Sequence, residues 1–163
     1  MKIDYLKING FGKVTNKEIN LKSNINIIQG KNETGKSTIL QFINSMFYGA
    51  AKTKNGKDIS VFDQYKPWKT EEFSGKLKYT LDNNESYEIY REFKKKLPVI
   101  YNSNLDDITN TFSADKTKGI DILNEQIGID EEIFKNTVIT SQNEIEISKS
   151  GQNSIIQKIS NII

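Results

Sequence analysis

Gly30-Lys31-Asn32-Glu33-Thr34-Gly35-Lys36-Ser37 is the stretch on which the reading of this chain turns. It fits the pattern G-x-x-x-x-G-K-[ST], and each residue type has a physical reason. The glycines let the backbone curl so that successive N–H groups face an anion. A helix starting near Ser37 adds unpaired N–H groups and the positive end of its dipole. Lys36 supplies a full charge for the β- and γ-phosphates of a nucleotide, and the Ser37 hydroxyl can ligate Mg²⁺. Thr38 adds a phosphate contact. Asn32 either reaches the γ-phosphate or attacking water, or braces the loop with its amide. In a chain of this length the pattern arises by chance on the order of 1% of the time or less.

The flanks fit. Before the loop, Ile25, Ile27 and Ile28 form an apolar run that predicts a buried central strand. After it, Ile39, Phe42, Ile43, Met46 and Phe47 recur at helical spacing, and Gly49 is a natural stop. Strand, phosphate loop and helix in this order predict an α/β nucleotide-binding fold.

Further out, residues 2–9 alternate as a strand, with Gly10 and Gly12 permitting a tight turn around Phe11. Ile19 and Leu21 suggest a second strand. Residues 50–70 read as a long polar loop. Residues 73–81 and 86–93 read as strands joined by the turn 82–85, with further strands over 97–101 and, more weakly, 108–112. Two short helices are expected over 119–127 and 130–137, split at Gly128, then a short strand over 138–140. Ile155, Ile156, Ile159, Ile162 and Ile163 give residues 153–163 an amphipathic helical pattern.

Composition closes several routes. The 163 residues include no cysteine and no histidine, with 23 Lys+Arg against 21 Asp+Glu. That excludes disulfides, Cys/His zinc sites, a thiol nucleophile and a Ser-His-Asp triad. A hard ion bound through oxygen, such as Mg²⁺, remains possible. A net charge of +2 does not argue for nucleic acid. No apolar run approaches the roughly 18–20 residues of a membrane span, and no signal core opens the chain. A cytoplasmic protein with no membrane partner is therefore expected.

Phe11-Gly12-Lys13, Ile27 through Thr38, and Met46-Phe47-Tyr48-Gly49 together resemble the N-terminal half of an SMC/SbcC-type ATPase head of the ABC class. Tyr65-Lys66-Pro67-Trp68, followed by a strand pair carrying Arg91, is similar to the YhaN-like bacterial DNA-repair branch. The resemblance implies a P-loop NTPase fold, an N-terminal lobe with a mixed sheet and an antiparallel strand group. It implies a lobe over residues 1–150, with the phosphate loop at 30–38, and a helix over 151–163 that starts a coiled coil.

ATP and Mg²⁺ are the implied cofactors. Gly30, Asn32, Glu33, Thr34, Gly35, Lys36, Ser37 and Thr38 would contact the nucleotide. Lys13, where some relatives carry arginine, would add a phosphate contact or remain a solvated turn lysine. Val138 to Glu144 resembles a Q-loop, in which Gln142 would join Ser37 as a Mg²⁺ ligand and Lys36 as a catalytic group; an ordinary surface glutamine is the alternative. The family's Ser-Gly-Gly signature, Walker B acids and switch histidine have no counterpart here. The expectation is one lobe of a split head that binds ATP and turns it over poorly alone. Its implied partners are its own C-terminal lobe, a second head joined through ATP, DNA, and in some assemblies a nuclease subunit. A small self-contained kinase or GTPase, and a nucleotide-switched binding module, are the rival readings.

Other residues have two readings each. Lys94-Lys95-Lys96 is a solvated turn or a DNA-backbone contact. Lys52, Lys54 and Lys57 serve solubility or lie near base and ribose. Arg91, the only arginine, would pair with Glu88 or Glu92. Trp68 is expected to pack rather than to stack on a base.

Overall fold

Alternation over the first strand sets the sheet. In β1 (Lys2–Phe11) Leu6 and Ile8 are fully buried, while Lys7 between them keeps its ammonium in reach of solvent. The computed structural model describes residues 1–23, 25–50, 52, 59–115 and 119–139. They fall into two units, Met1–Ile120 and Asp121–Ile163.

In the first unit, β1 pairs with β2 (Val14–Asn20) through the Gly12-Lys13 turn, where Gly12 takes φ +56°. The sheet continues through β3 (Ser74–Thr80), β4 (Ser86–Glu92) and β5 (Val99–Tyr101) in the order β2-β1-β3-β4-β5, with every pairing antiparallel. The β3–β4 hairpin turns at residues 82–85 as its sequence indicates. A short ribbon of β6 (Ala114–Asp115) and β7 (Gly119–Ile120) stands apart from it.

One sheet face carries the core. The helix α1 (Lys36–Tyr48) lies on it and buries Ile39, Phe42, Met46 and Phe47, four of the five residues its 3.6-residue spacing marks out; Ile43 is half-buried. The sheet admits the helix at Gly75, where a Cβ would run into the Phe42 ring and the Lys7 carbonyl. Phe11 centres an aromatic cluster, 5.5 Å from Phe42, 5.6 Å from Phe73 and 5.1 Å from Phe93. On the opposite face Glu88 is clamped between Lys76 at 2.8 Å and Lys78 at 2.9 Å.

Arg91 does not pair with a carboxylate. Its buried guanidinium donates from Nε to the Met46 carbonyl at 3.0 Å and from Nη2 to the Phe47 carbonyl at 3.3 Å. A β4 side chain thus closes the last turn of α1, where carbonyls lack helical partners and the dipole favours a cation. Gly49 finishes the turn by donating to Ser45.

Three expectations of the first unit fail. Residues 25–28 form no strand, and Ile25 and Ile27 are 89% and 85% exposed. A central strand needs a neighbour on each side, and none lies beside it among the described residues. Among the described residues the sheet is antiparallel throughout, where the expectation is a mixed sheet. Within the expected loop 50–70 there is a helix, α2 (Val61–Tyr65), capped by the Ser60 hydroxyl accepting from the Asp63 N–H at 3.0 Å. Residues 108–112 form a 3₁₀ turn (Thr109–Thr111), because Asp107 accepts from the Thr109 N–H and hydroxyl and bends the chain.

In the second unit α3 (Ile122–Ile127) ends at Gly128, φ +69°. Asp130 caps α4 (Glu131–Ile133), which runs into a π turn over Phe134–Val138. That turn takes Val138 out of its expected strand. Residues 140–163, with the expected Q-loop at Gln142 and the helix over 151–163, lie outside the described residues.

Candidate nucleotide site

The phosphate loop is built as its residue types require. Glu33 takes φ +65° and Gly35 φ +100°, two left-handed positions that bend the chain back before α1. Gly35 stands at the helix N-cap with no side chain to occupy the first-turn amides, and no acidic residue lies in that turn. The open N-terminus of a 13-residue helix is therefore left to an external anion.

The Lys36 ammonium donates to the carbonyls of Gly30 and Lys31, both at 2.7 Å. This folds the lysine back over the loop and holds its charge against the loop carbonyls. Thr34 braces the same curl by donating to the Lys31 carbonyl at 2.8 Å. A Cβ at Gly30 would meet Thr34 Oγ1 at 2.6 Å, so this glycine makes room for the brace. Thr34 thus serves the loop's shape through its side chain. Asn32, Glu33 and Ser37 are exposed around the open side, and Thr38 is half-buried in the first helical turn.

Lys13 comes to the loop from the β1–β2 turn. A Cβ at Gly35 would lie 2.8 Å from Val14 Cγ2 and 3.8 Å from Lys13 Cε. The turn therefore packs on the loop's back and lays the Lys13 stem beside it, with the ammonium in solvent. A Cβ at Gly12 would meet Thr38 Cγ2 and Tyr65 Cδ1, each at 3.2 Å. Tyr65 is a neighbour of the site that the sequence reading assigned only to a family element. The spacing Ser60-x-x-Asp63 was the signal for the helix that presents it.

The donor set fits a triphosphate: curled backbone, helix N-terminus and a fixed lysine. It also fits Mg²⁺, because this ion keeps waters and phosphate oxygens and needs few protein ligands. The exposed Ser37 hydroxyl suffices as one. Among the described residues no group of three or more acidic or histidine side chains forms a separate metal site.

Other candidates take the plain role. Lys94 donates to the Glu71 carbonyl at 2.9 Å and Lys95 pairs with Glu92 at 2.7 Å, as solvated turn lysines do. Lys52 lies 4.4 Å over the Phe62 ring, and Lys54 and Lys57 lie outside the described residues. Trp68 does not pack: it is 95% exposed. No helix among the described residues is long and apolar enough to cross a membrane.

A phosphate loop between an antiparallel sheet and the helix it launches defines a P-loop nucleotide-binding domain. Comparison with known families agrees: a family model described as an AAA domain matches residues 5–163, and the chain belongs to that family. Its members' class is the P-loop ATPase. The chain is also similar to the Septu protein PtuA of Bacillus thuringiensis, 37% identical over 62 residues. That match covers 38% of this chain and 15% of PtuA, so the chain spans only a small part of the relative's length.

Proposed function

We infer that this chain is the N-terminal lobe of an ABC/SMC-type ATPase head, of the YhaN-like branch, and that it binds ATP with Mg²⁺. The observation that carries this reading is the uncapped start of α1 beneath a loop whose lysine is already fixed over it. Gly30, Asn32, Glu33, Gly35 and Thr38 would line the phosphates, with Lys13 alongside. Mg²⁺, when bound, neutralises phosphate charge; Ser37 and Gln142 would hold it. Lys36 would stabilise charge developing on the γ-phosphate, so the loop contributes positioning and electrostatics rather than covalent chemistry.

The loop's own carboxylate, Glu33, takes a left-handed backbone position that serves the curl. Hydrolysis then rests on a C-terminal lobe and a second head. The exposed run Ile25–Ile28 supports the first of these, since it presents strand-forming residues with no neighbouring strand among the described residues. Coupling to DNA repair or chromosome maintenance, with DNA and in some assemblies a nuclease subunit as partners, follows from the family resemblance alone.

Calorimetric titration with ATP and Mg²⁺ tests the reading. Binding that Lys36→Ala weakens at least about tenfold, with turnover near background, is expected. Equal or tighter binding of GTP would favour the GTPase reading, and brisk turnover by this chain alone would defeat the split-head account.

A further inference from the structure

We propose that Tyr65 is a positioning residue for the phosphate loop: it sets the Gly12 turn that backs Gly35 and Thr38, and through that turn the shape of the anion site. The assignment rests on the phosphate loop holding a nucleotide, as argued above.

The loop is backed at two points. Ile39 donates to the Gly35 carbonyl at 3.0 Å and closes the first turn of α1. The helix-start amides offered to an anion therefore lie between Gly35 and Ile39. Both ends of that short segment meet the β1–β2 turn. A Cβ at Gly35 would lie 2.8 Å from Val14 Cγ2, and one at Gly12 would lie 3.2 Å from Thr38 Cγ2. Close packing transmits displacement, so a shift of this turn moves the left-handed corner at Gly35 and the first helical residues with it.

Tyr65 fixes the turn by three contacts. Its carbonyl accepts from the Gly12 N–H, its ring stacks on buried Phe11 with centres 5.0 Å apart and planes at 21°, and its Cδ1 would meet a Gly12 Cβ at 3.2 Å. Tyr65 and Thr38 thus close on the same bare Cα. The helix α2 that carries Tyr65 is itself tied down. Ser60 caps it, and Phe62 lies against Phe73 with ring centres 5.2 Å apart, in the cluster that Phe11 centres. Packing is therefore continuous from the aromatic core through α2 and the Gly12 turn to the first turn of α1. Ring and backbone make these contacts, so the phenol hydroxyl is dispensable.

The full chain with Mg²⁺ is titrated calorimetrically with ATP and with inorganic tripolyphosphate, and circular dichroism confirms that each variant is folded. Tyr65→Ala should weaken both ligands about tenfold, the lower end of what removing an outer-shell partner costs an ion site. The factor should be the same for both, because the loop is affected and not the contact to the base. Tyr65→Phe should restore the parent affinity. Val14→Ala breaks the other end of the path and should also weaken both ligands. The double variant should lose no more than the worse single one, since contacts in series are broken once. If Tyr65→Ala does not fold, Tyr65→Leu, which keeps apolar cover over Phe11 without the flat ring, takes its place with the same expectation. Unaltered affinity in a folded Tyr65 variant, even one that melts lower, overturns the assignment. So do fully additive losses, and so does a loss confined to ATP, which would put the ring on the nucleoside rather than behind the loop. Failure of the parent to bind either ligand overturns the phosphate site itself, a result the variants do not mimic.

Discussion

Replacing Arg91 tests how the helix behind the phosphate loop is held. Its guanidinium is only 4% exposed and bonds two carbonyls at the end of α1. Burial pushes its pKa down from the ordinary guanidinium range to about 10, so it stays charged at neutral pH. That drop corresponds to roughly 3 kcal/mol of burial cost. Deleting the donors leaves two buried carbonyls unsatisfied, at about 1–3 kcal/mol each. Arg91→Met removes the charge, recovers the burial cost, and keeps much of the side-chain stem. A net loss of about 1–3 kcal/mol follows once the imperfect fill is included. Arg91→Lys keeps a charge that is more strongly hydrated and lacks the fork needed to reach both carbonyls. It should therefore be worse than Met, at about 3 kcal/mol or more, despite being the nearer relative in charge. Urea denaturation at pH 7 followed by circular dichroism measures both. ATP affinity of folded Arg91→Met should be unchanged, because the contacts lie at the helix end away from the loop. A lysine variant as stable as the parent, or a methionine variant that costs nothing, would refute the reasoning.

Other perturbations have directions set by the structure. Lys36→Ala should lower ATP affinity at least about tenfold by calorimetry, with unchanged melting, since its bonds are exposed. Gly75→Val should destabilise by about 2 kcal/mol or more in urea, because the new atoms meet the Phe42 ring and Lys7 backbone. Glu88 is pulled upward by burial, but hydrogen bonds and charges from Lys76 and Lys78 outweigh this and hold its pKa below 4.5. Its stabilising contribution is thus present above pH 4.5 and lost as pH falls through the folded value. Stability against pH should show a shallower acid limb in Glu88→Gln, with at most about 1 kcal/mol lost at pH 7. Ile25→Asn with Ile27→Asn should leave the melting curve of this chain within about 0.5 kcal/mol of the parent; a larger loss would mean these side chains are covered.

Legibility in the sequence followed the reach of the interactions. The alternation of β1, the 82–85 hairpin, the loop and α1 are each set by residues close in sequence, and each forms where the pattern puts it. Two of the loop's details, the left-handed Glu33 and the Thr34 brace, are local too but leave no pattern in residue type. Arg91 had to be misread, since its partners lie 44 and 45 residues away and are backbone atoms, which carry no sequence mark. The helix α2 spans five residues inside a polar stretch, too short to show periodicity. Only its cap, Ser60 with Asp63, announced it.

Two further misreadings share a cause. Ile25–Ile28 and Trp68 both look like core residues, and hydrophobicity alone says that they should be covered. Both are exposed, the isoleucines in the chain leading into the phosphate loop and the indole in the segment that follows α2. Burying one large apolar side chain stabilises by about 1.5–3 kcal/mol. A chain with only 36% apolar residues gains nothing from leaving four of the largest in water. The economical physical account is that the group covering the isoleucines, a strand, is not among the described residues. Supplying a strand-bearing lobe should slow amide exchange over residues 25–28 without ATP. If ATP alone slowed exchange there as much, the isoleucines would belong to the nucleotide site, and the case for a missing neighbouring strand would lose its footing.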